Sequence, residues 1–196
     1  MCGRYTFDKY TEDEKLIGIL DEINRKYPDN PIKLGEIFPT NPAAVLVGYG
    51  KRIEAERMSW GFPNFRNKGV IINARVETIT EKPMFSKHIE LHRCVVPSTG
   101  FYEWSQDGEK TKYRFNIPNK KSLYMAGIYN IFKDEARFVI LTTAANRSME
   151  RIHHRMPVIL EETEIEPWIT RKEEASIFLH RIPVQLSGVR IELKTP

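Results

Sequence analysis

Near its amino end, the chain carries apolar residues at helical spacing behind a capping pattern. Thr11 and Glu14 have the spacing of a capping box, in which each side chain bonds the backbone amide of the other residue. Pro28 and Pro31 follow, and proline does not continue a helix. The pattern predicts a helix over residues 11–26 whose apolar face is formed by Leu16, Ile17, Leu20 and Ile23.

The middle of the chain is a series of short β-rich runs separated by turn residues. The runs predict strands over residues 5–7, 43–49, 52–60, 94–97, 101–105, 113–117, 123–129, 138–143 and 157–160. Short helices are expected over residues 84–91, near Glu162, and after a second capping box that begins at Thr170. Strands in the middle and helices at both ends predict an α+β fold with a mainly antiparallel sheet. The pattern does not decide whether this sheet closes into a barrel.

Length and composition favour a single domain, residues 1–196. A chain of 196 residues with 41% hydrophobic residues is enough for one well-buried core, and no polar linker divides it. The net charge of +4 is compatible with a polyanionic partner but is equally common among enzymes. Two cysteines do not suggest a disulfide framework, and neither a signal peptide nor a membrane-spanning run is present. We therefore expect a cytoplasmic protein.

Cys2 follows the initiator methionine, which gives it a chemistry that an internal cysteine lacks. Removal of Met1 would leave an amine and a thiol on adjacent carbons. The amine, with a reference pKa of about 7.7–8.0, is partly neutral at cellular pH and condenses with an aldehyde to an imine. The thiol then closes a thiazolidine ring intramolecularly. A small residue at position 2 is also what methionine removal requires, so the position alone leaves both interpretations open.

A carboxylate stands among large aromatic residues in the run Gly-Phe-Tyr-Glu-Trp at residues 100–104. Strand alternation places Phe101 and Glu103 on one face and Tyr102 and Trp104 on the other. A carboxyl in apolar surroundings has a raised pKa, which suits general acid or base chemistry, and Trp104 offers a flat surface for stacking a base. The alternative is an exposed glutamate beside a core tryptophan.

Two further polar clusters lie next to apolar runs. Asn73 follows two isoleucines, as at the end of a strand that presents polar groups at a rim. The run His153-His154-Arg155 precedes an apolar segment, and these residue types can supply a proton shuttle and a phosphate contact. Adjacent residues of an extended segment point apart, so we expect only one histidine to face a site. Each cluster alone is also compatible with solvated polar residues.

Together and in this order, the motifs resemble those of the SRAP family, the SOS-response-associated peptidases or abasic-site processing proteins. They are Cys-Gly-Arg at 2–4, Asn-Ala-Arg-x-Glu at 73–77, Gly-Phe-Tyr-Glu-Trp at 100–104 and His-x-Arg-Met-Pro at 153–157. Further matches are the Pro39 region, Trp-Gly-Phe at 60–62 and Leu-Thr-Thr-Ala-Ala-Asn at 141–146. The resemblance implies one α+β domain around a barrel-like sheet flanked by helices, with a basic groove for single-stranded DNA.

The resemblance also implies catalytic roles. Cys2 is the nucleophile that becomes crosslinked to the ring-opened aldehyde of an abasic site, and Asn73 places the opened sugar and the Cys2 amine. Glu103 is the acid and base of imine formation and ring closure, and His153 assists sugar opening and crosslink reversal. Many relatives have an acid where this chain has His154, and we assign the role to His153 because it leads the motif. No metal or other cofactor is implied.

The expected partner is single-stranded DNA that contains abasic sites, bound by a monomer without an obligatory protein partner. The arginines would hold phosphates and the tryptophans would line the DNA path. The residues expected to contact DNA are Arg4, Pro39, Trp60, Arg75, Trp104, Thr143 and Arg155. Removal of Met1 is an obligatory step in this account, and self-catalysed removal would explain the word peptidase. A strand-cleaving β-elimination is an expected side activity.

Three other functions are compatible with parts of the sequence. A cysteine peptidase or amidohydrolase would use Cys2, Glu103 and His153 for acyl transfer. A noncovalent single-strand binding module would bind in a salt-dependent way and would not need Cys2. His88 and His92 have the spacing of two metal ligands on one helical face, but no second ligand pair stands out, so we expect solvated histidines there.

Overall fold

The structure is a computed structural model that describes residues 2–66 and 68–192, and it confirms the α+β class. Its helices are α1 (Glu14–Lys26), α2 (Pro83–Leu91), α3 (Ile165–Thr170) and α4 (Lys172–His180). Its strands are β1 (Arg4–Phe7), β2 (Gly35–Ile37), β3 (Pro42–Tyr49), β4 (Arg52–Trp60), β5 (Phe62–Pro63), β6 (Val70–Ile71), β7 (Asn73–Arg75), β8 (Arg93–Ser98), β9 (Gly100–Trp104), β10 (Lys112–Asn116), β11 (Leu123–Phe132), β12 (Glu135–Ala144), β13 (Arg155–Pro157), β14 (Ile159–Leu160) and β15 (Ser187–Arg190). None of the helices in these two ranges is long and apolar enough to cross a membrane.

Strands β3, β4, β8, β11 and β12 close into a five-stranded barrel. Their pairings are antiparallel except that between β12 and β4, where Phe138 lies opposite Trp60 in a parallel ladder. The hairpin of β11 and β12 completes the ring. Every residue of β8 is buried, because one face lies inside the barrel and helices α2 and α3 pack against the other. The predicted barrel-like, mainly antiparallel sheet is thus confirmed.

A second, antiparallel sheet has the strand order β15-β10-β9-β1-β2 and contains the amino-terminal strand. β1 lies between two partners, with Tyr5 paired to Phe101 of β9 on one side and to Ile37 of β2 on the other. The side chains of Tyr5 and Phe7 are fully buried. The strand that follows Cys2 is therefore held on both sides, and this fixes Cys2 beside β9.

The first helix begins later than predicted because Asp13 caps it rather than Thr11. The Asp13 carboxylate accepts hydrogen bonds from two backbone amides of the first turn, and it also interacts favourably with the helix dipole. The Thr11 hydroxyl instead accepts from the amide of Asp13. The capping box predicted for Thr11 and Glu14 is wrong. Of the predicted apolar face, Leu16 and Ile23 are buried and Leu20 is partly buried, whereas Ile17 is exposed.

The capping box predicted to begin at Thr170 is also wrong. The Thr170 hydroxyl donates to the carbonyl of Glu166 at 2.9 Å, and Arg171, the residue that caps α4, forms no side-chain capping bond. A reciprocal capping box does form nearby, between Glu161 and Glu164 around a short 3-10 turn. The helix expected near Glu162 is therefore this turn followed directly by α3.

The segment predicted as one strand over residues 157–160 contains parts of two short strands. β13 pairs with β12, and β14 pairs with β11. Val158 joins them, since its amide donates to the carbonyl of Leu141 and its carbonyl accepts from the amide of Ala126. The segment thereby crosses between neighbouring barrel strands, and β13 itself begins two residues after His153.

Candidate active site

Four side chains that the sequence analysis selected come together near the end of β12. Asn73 begins β7 and His153 precedes β13, and these two strands flank the end of β12 on opposite sides. Cys2 precedes β1, whose neighbour β9 carries Glu103. The Asn73 side-chain amide donates to the Cys2 carbonyl at 2.9 Å, and His153 Nε2 lies 3.8 Å from Glu103 Oε1. Four distant parts of the sequence thus contribute one site.

Cys2 is enclosed by the protein and has no exposed surface. Burial raises the pKa of its thiol, and the nearby Glu103 carboxylate raises it further. Its sulfur faces the Arg4 carbonyl at 3.6 Å. The thiol is therefore protonated at neutral pH, so it adds to an electrophile only as a base removes its proton. Cys94, in β8, is likewise buried and forms no disulfide with Cys2.

Glu103 points into the protein, as the predicted strand alternation requires. It is 4% exposed and shares its face with buried Phe101, whereas Tyr102 and Trp104 are half-buried on the other face. Burial raises the pKa of the Glu103 carboxyl. A carboxyl whose pKa lies closer to neutral pH can both donate and accept a proton during a reaction.

His153 is buried, and a backbone hydrogen bond indicates which of its ring nitrogens carries the proton. The Arg155 amide donates to His153 Nδ1 at 2.9 Å, so Nδ1 is an acceptor in this arrangement. The same nitrogen lies 3.1 Å from the Arg155 carbonyl, which becomes a partner only if Nδ1 is protonated. Burial is the main cause that lowers the pKa of His153 to about 4. The ring is therefore neutral at pH 7, with its proton on Nε2, the nitrogen nearer Glu103.

His154 does not point away from His153, contrary to the prediction for adjacent residues of an extended segment. The two rings are stacked, with centroids 4.5 Å apart and planes at 20°. His154 is exposed, and its Nδ1 lies 3.2 Å from Gln106 Oε1. The segment that leads into β13 is a turn rather than an extended strand, which is why both rings lie on the same side.

The predicted phosphate contact at Arg155 is occupied within the protein. Arg155 is 8% exposed, and its guanidinium binds both carboxylate oxygens of Glu77, at 2.6 and 2.9 Å, together with the Thr142 carbonyl. Of the other residues expected to contact DNA in this region, Arg75 is exposed and Thr143 is half-buried. Arg75 forms no salt bridge with any residue that the structure describes.

Arg4 and Trp104 form a layer on the face of the second sheet opposite Glu103. The Arg4 guanidinium lies 4.9 Å from the Trp104 ring and 4.5 Å from the Phe38 ring, next to half-buried Pro39. Lys112, which pairs with Trp104 across the strands, lies 4.0 Å above the Tyr102 ring. Sequence analysis did not select Phe38 or Lys112, although the register of β10 against β9 would identify Lys112.

A cavity of about 340 Å³ opens beside Glu103 and His153, within the size range of small-ligand sites. One wall is the loop from β9 to β10, where the Ser105 hydroxyl donates to Asp107 and accepts from the Thr111 amide. We predicted this loop only as a turn. Its residues that line the cavity are Ser105, Gln106, Gly108 and Lys110.

The expectation that Trp60 lines the DNA path is wrong. Trp60 is fully buried, and its indole nitrogen donates to the Ile72 carbonyl at 3.0 Å. Its ring packs parallel to Phe138 at 6.4 Å and edge-on to Tyr5 at 5.2 Å. Trp60 is a core residue where β4 meets β12, because the parallel pairing of these strands places it against Phe138.

We expect Trp60→Phe to lower the free energy of unfolding by about 2 kcal/mol, because it leaves a void and removes the indole hydrogen bond to the Ile72 carbonyl, which keeps only its bond from the Ile140 amide. Chemical denaturation measures this change. Trp104→Phe is the matched variant, and its half-exposed ring predicts a much smaller loss of stability. If Trp60→Phe unfolded at the same denaturant concentration as the parent, the core assignment would be contradicted.

The two histidines considered as metal ligands contact each other. His88 Nδ1 and His92 Nδ1 are 2.9 Å apart, and His88 lies edge-on to Phe62. Burial lowers the pKa of both imidazoles. Within residues 2–66 and 68–192, no group of three or more histidine, cysteine, aspartate or glutamate residues has the arrangement of a metal site.

Comparisons with known proteins agree with the fold and with the motifs. The family model described as SOS response associated peptidase (SRAP) matches residues 1–192. Abasic site processing protein YoaM of Bacillus subtilis is 30% identical over 195 residues, which cover 93% of this chain and 85% of that protein. Abasic site processing protein YedK of Escherichia coli is 28% identical over 180 residues, covering 88% and 81%. A crystal structure of a protein from Bacteroides thetaiotaomicron has a TM-score of 0.79 at 25% identity, covering 97% of this chain and 92% of that one.

The fold and the site define an α+β protein whose amino-terminal cysteine lies in a buried polar site between a barrel and a second sheet. The family match extends over nearly the whole chain, beyond the last of the motifs at residues 153–157. The chain belongs to the SOS response associated peptidase (SRAP) family.

Proposed function

We propose that this protein captures abasic sites in single-stranded DNA through a covalent thiazolidine between Cys2 and the ring-opened aldehyde of the damaged sugar. The observation that carries the proposal is the position of Cys2 in one site with a buried carboxyl, a neutral imidazole and an amide. The names of the relatives YoaM and YedK, both abasic site processing proteins, support the choice of substrate. The crosslink would shield the lesion from strand cleavage.

The reaction requires removal of Met1, because only then does Cys2 carry a free amine. The neutral amine attacks C1′ of the open-chain sugar, and loss of one water gives an imine. The Cys2 sulfur then adds to C1′ while its proton passes to the nitrogen, which closes the five-membered ring. One water is released overall, and no oxidant or reductant is needed. Ring closure is favourable because both nucleophiles belong to one residue.

Glu103 and His153 supply the proton transfers in this proposal. Glu103 protonates the departing water and then takes the thiol proton, two tasks that suit a carboxyl whose pKa is raised by burial. His153 presents a neutral ring with its proton on Nε2, which suits assistance to sugar opening and to reversal of the crosslink.

Asn73 positions the nucleophile. Its Nδ2 holds the Cys2 carbonyl at 2.9 Å, which fixes the direction of the residue that carries the amine. Its Oδ1 is buried and has no hydrogen-bond partner among the residues that the structure describes. A buried acceptor without a partner is costly, so this oxygen is suited to accept from the Cys2 amine or a sugar hydroxyl.

The DNA backbone would follow the exposed and half-buried residues around the site. Arg75 is accessible for a phosphate. Thr143 directly follows Thr142, the residue of β12 that pairs with Arg75, and Arg4 lies in the layer with Trp104. Arg155 would have to exchange Glu77 for a phosphate. These contacts would give noncovalent binding a strong dependence on salt.

A lyase side reaction follows from the same intermediate. An imine at C1′ makes the C2′ proton more acidic, and its removal would expel the 3′ phosphate and cleave the strand. Addition of the Cys2 thiol consumes the imine and so competes with cleavage. Loss of the thiol should therefore shift the products from intact crosslink towards cleaved DNA.

A denaturing gel tests the proposal. Processed protein is mixed with single-stranded DNA that carries one abasic site, beside intact DNA of the same sequence and a protein form with an uncleaved amino-terminal tag. We expect a heat-stable shifted band only with abasic DNA and a free Cys2 amine. If processed protein gives no band, covalent capture is ruled out and acyl transfer by Cys2, Glu103 and His153 becomes the better function, to be tested with peptide substrates.

A further inference from the structure

We infer that His154 is a positioning residue that keeps the His153 ring in its neutral form. The inference rests on the proposed function, since His153 acts there as the proton-transfer group. His154 itself is exposed, makes no contact with Cys2 or Glu103 among the described contacts, and acts only through the neighbouring ring.

Two contacts fix the His154 ring. It stacks on His153 with centroids 4.5 Å apart, and its Nδ1 lies 3.2 Å from Gln106 Oε1, to which it donates. Gln106 belongs to the cavity wall formed by the loop from β9 to β10, which the bonds of Ser105 hold in shape. His154 thus bridges the loop that follows the Glu103 strand and the turn that carries His153.

The stack disfavours a second proton on His153. The titratable or charged groups that face or adjoin its ring are Glu103 from β9, Arg155 from β13, Cys2 and the amino-terminal amine before β1, and His154. A charge on both stacked imidazoles would place two cations face to face, so His154 opposes protonation of His153. Burial lowers the pKa of His153 most and the positive charge of the amino terminus comes next; His154 and the Arg155 side chain lower it further, while the Arg155 backbone bond raises it. Of the facing groups, His154 is the exposed one, so its charge can be changed without disturbing the buried site.

The test is to titrate His153 by NMR in the processed protein, following its ring Cε1–H signal. His154→Glu replaces a potential cation with an anion, and we expect the pKa of His153 to rise by about one unit. His154→Phe keeps a stacked ring without charge and should give a smaller rise. His180→Glu, the same substitution at an exposed histidine of α4, is the control and should leave the pKa of His153 unchanged.

The second readout is the rate of crosslink reversal as a function of pH. In the crosslink the Cys2 amine is bonded to C1′, so the titration of a free amine does not contribute to this pH profile. In His154→Glu, the inflection of the reversal rate that reports protonation of His153 should move to higher pH by the same amount as the pKa of His153. An unchanged His153 pKa in His154→Glu overturns the inference. If the parent forms no crosslink at any pH, the proposed function fails, while the titration still decides the role of His154.

Discussion

Replacing Cys2 with alanine is expected to abolish heat-stable crosslinking to abasic DNA while noncovalent binding to DNA persists. Alanine retains the α-amine, so an imine can still form, but no sulfur is present to close the ring, and an imine hydrolyses on heating. Cys2→Ser should likewise give only labile products. Borohydride reduction would trap the imine in both variants, which separates loss of ring closure from loss of binding.

Cys94→Ala is the matched control, because Cys94 is equally buried but lies within barrel strand β8. It should crosslink as the parent does, with a modest loss of stability from the small void. A heat-stable crosslink in Cys2→Ala, measured on the same denaturing gel, would show that the thiol is not part of the linkage.

Glu103→Gln is expected to slow crosslink formation by about 10²–10⁴-fold, the range of a positioned general acid or base. The amide has nearly the same shape but cannot give up or take a proton at neutral pH. The initial rate of band formation measures the effect. Glu81→Gln, at an exposed glutamate, is the control and should react as the parent does.

The same variant should be more stable than the parent at neutral pH. The pKa of Glu103 is raised in the folded state, so the unfolded chain gives up this proton more readily and stability falls as the pH rises above the unfolded value. Glu103→Gln removes this loss of stability at neutral pH. The difference in stability between the variant and the parent should vanish in acid, where the Glu103 carboxyl is protonated in both the folded and the unfolded state. A thermal melt at pH 7 and at acidic pH measures it, and a less stable variant at pH 7 would contradict the assigned direction.

Most of the fold could be predicted from the sequence because local patterns determine it. The barrel strands were located by their β-rich runs, and the alternation in β9 placed Phe101 and Glu103 on the inner face. Both wrong capping boxes have one cause, since Thr11 and Thr170 match the spacing but a neighbouring carboxylate or carbonyl is the better partner. The short strands β2, β5 and β15 were missed, because a run of two to four residues carries no clear period.

The residues of the site could be predicted from the sequence, but the contacts that they make could not. Cys2, Asn73, Glu103 and His153 lie in recognisable motifs, whereas the pairing of Arg155 with Glu77 and the stack of His154 on His153 depend on how separate segments meet. Trp60 shows the same limit. Its motif suggested contact with DNA, but only the parallel register of β4 and β12 reveals that its ring is buried against Phe138.

The two-sided pairing of β1 determines how the protein would bear mechanical force once it is joined to DNA through Cys2. A motor pulling on the captured strand would load β1 along its length, from the end that carries the linkage. The ladder bonds to β2 and β9 lie across this direction, so they resist as a group in shear rather than opening one at a time. The buried rings of Tyr5 and Phe7 would have to slide through the core at the same time. The joint would therefore be anchored in a strand that is paired on both sides and packed into the core rather than in a loose terminus.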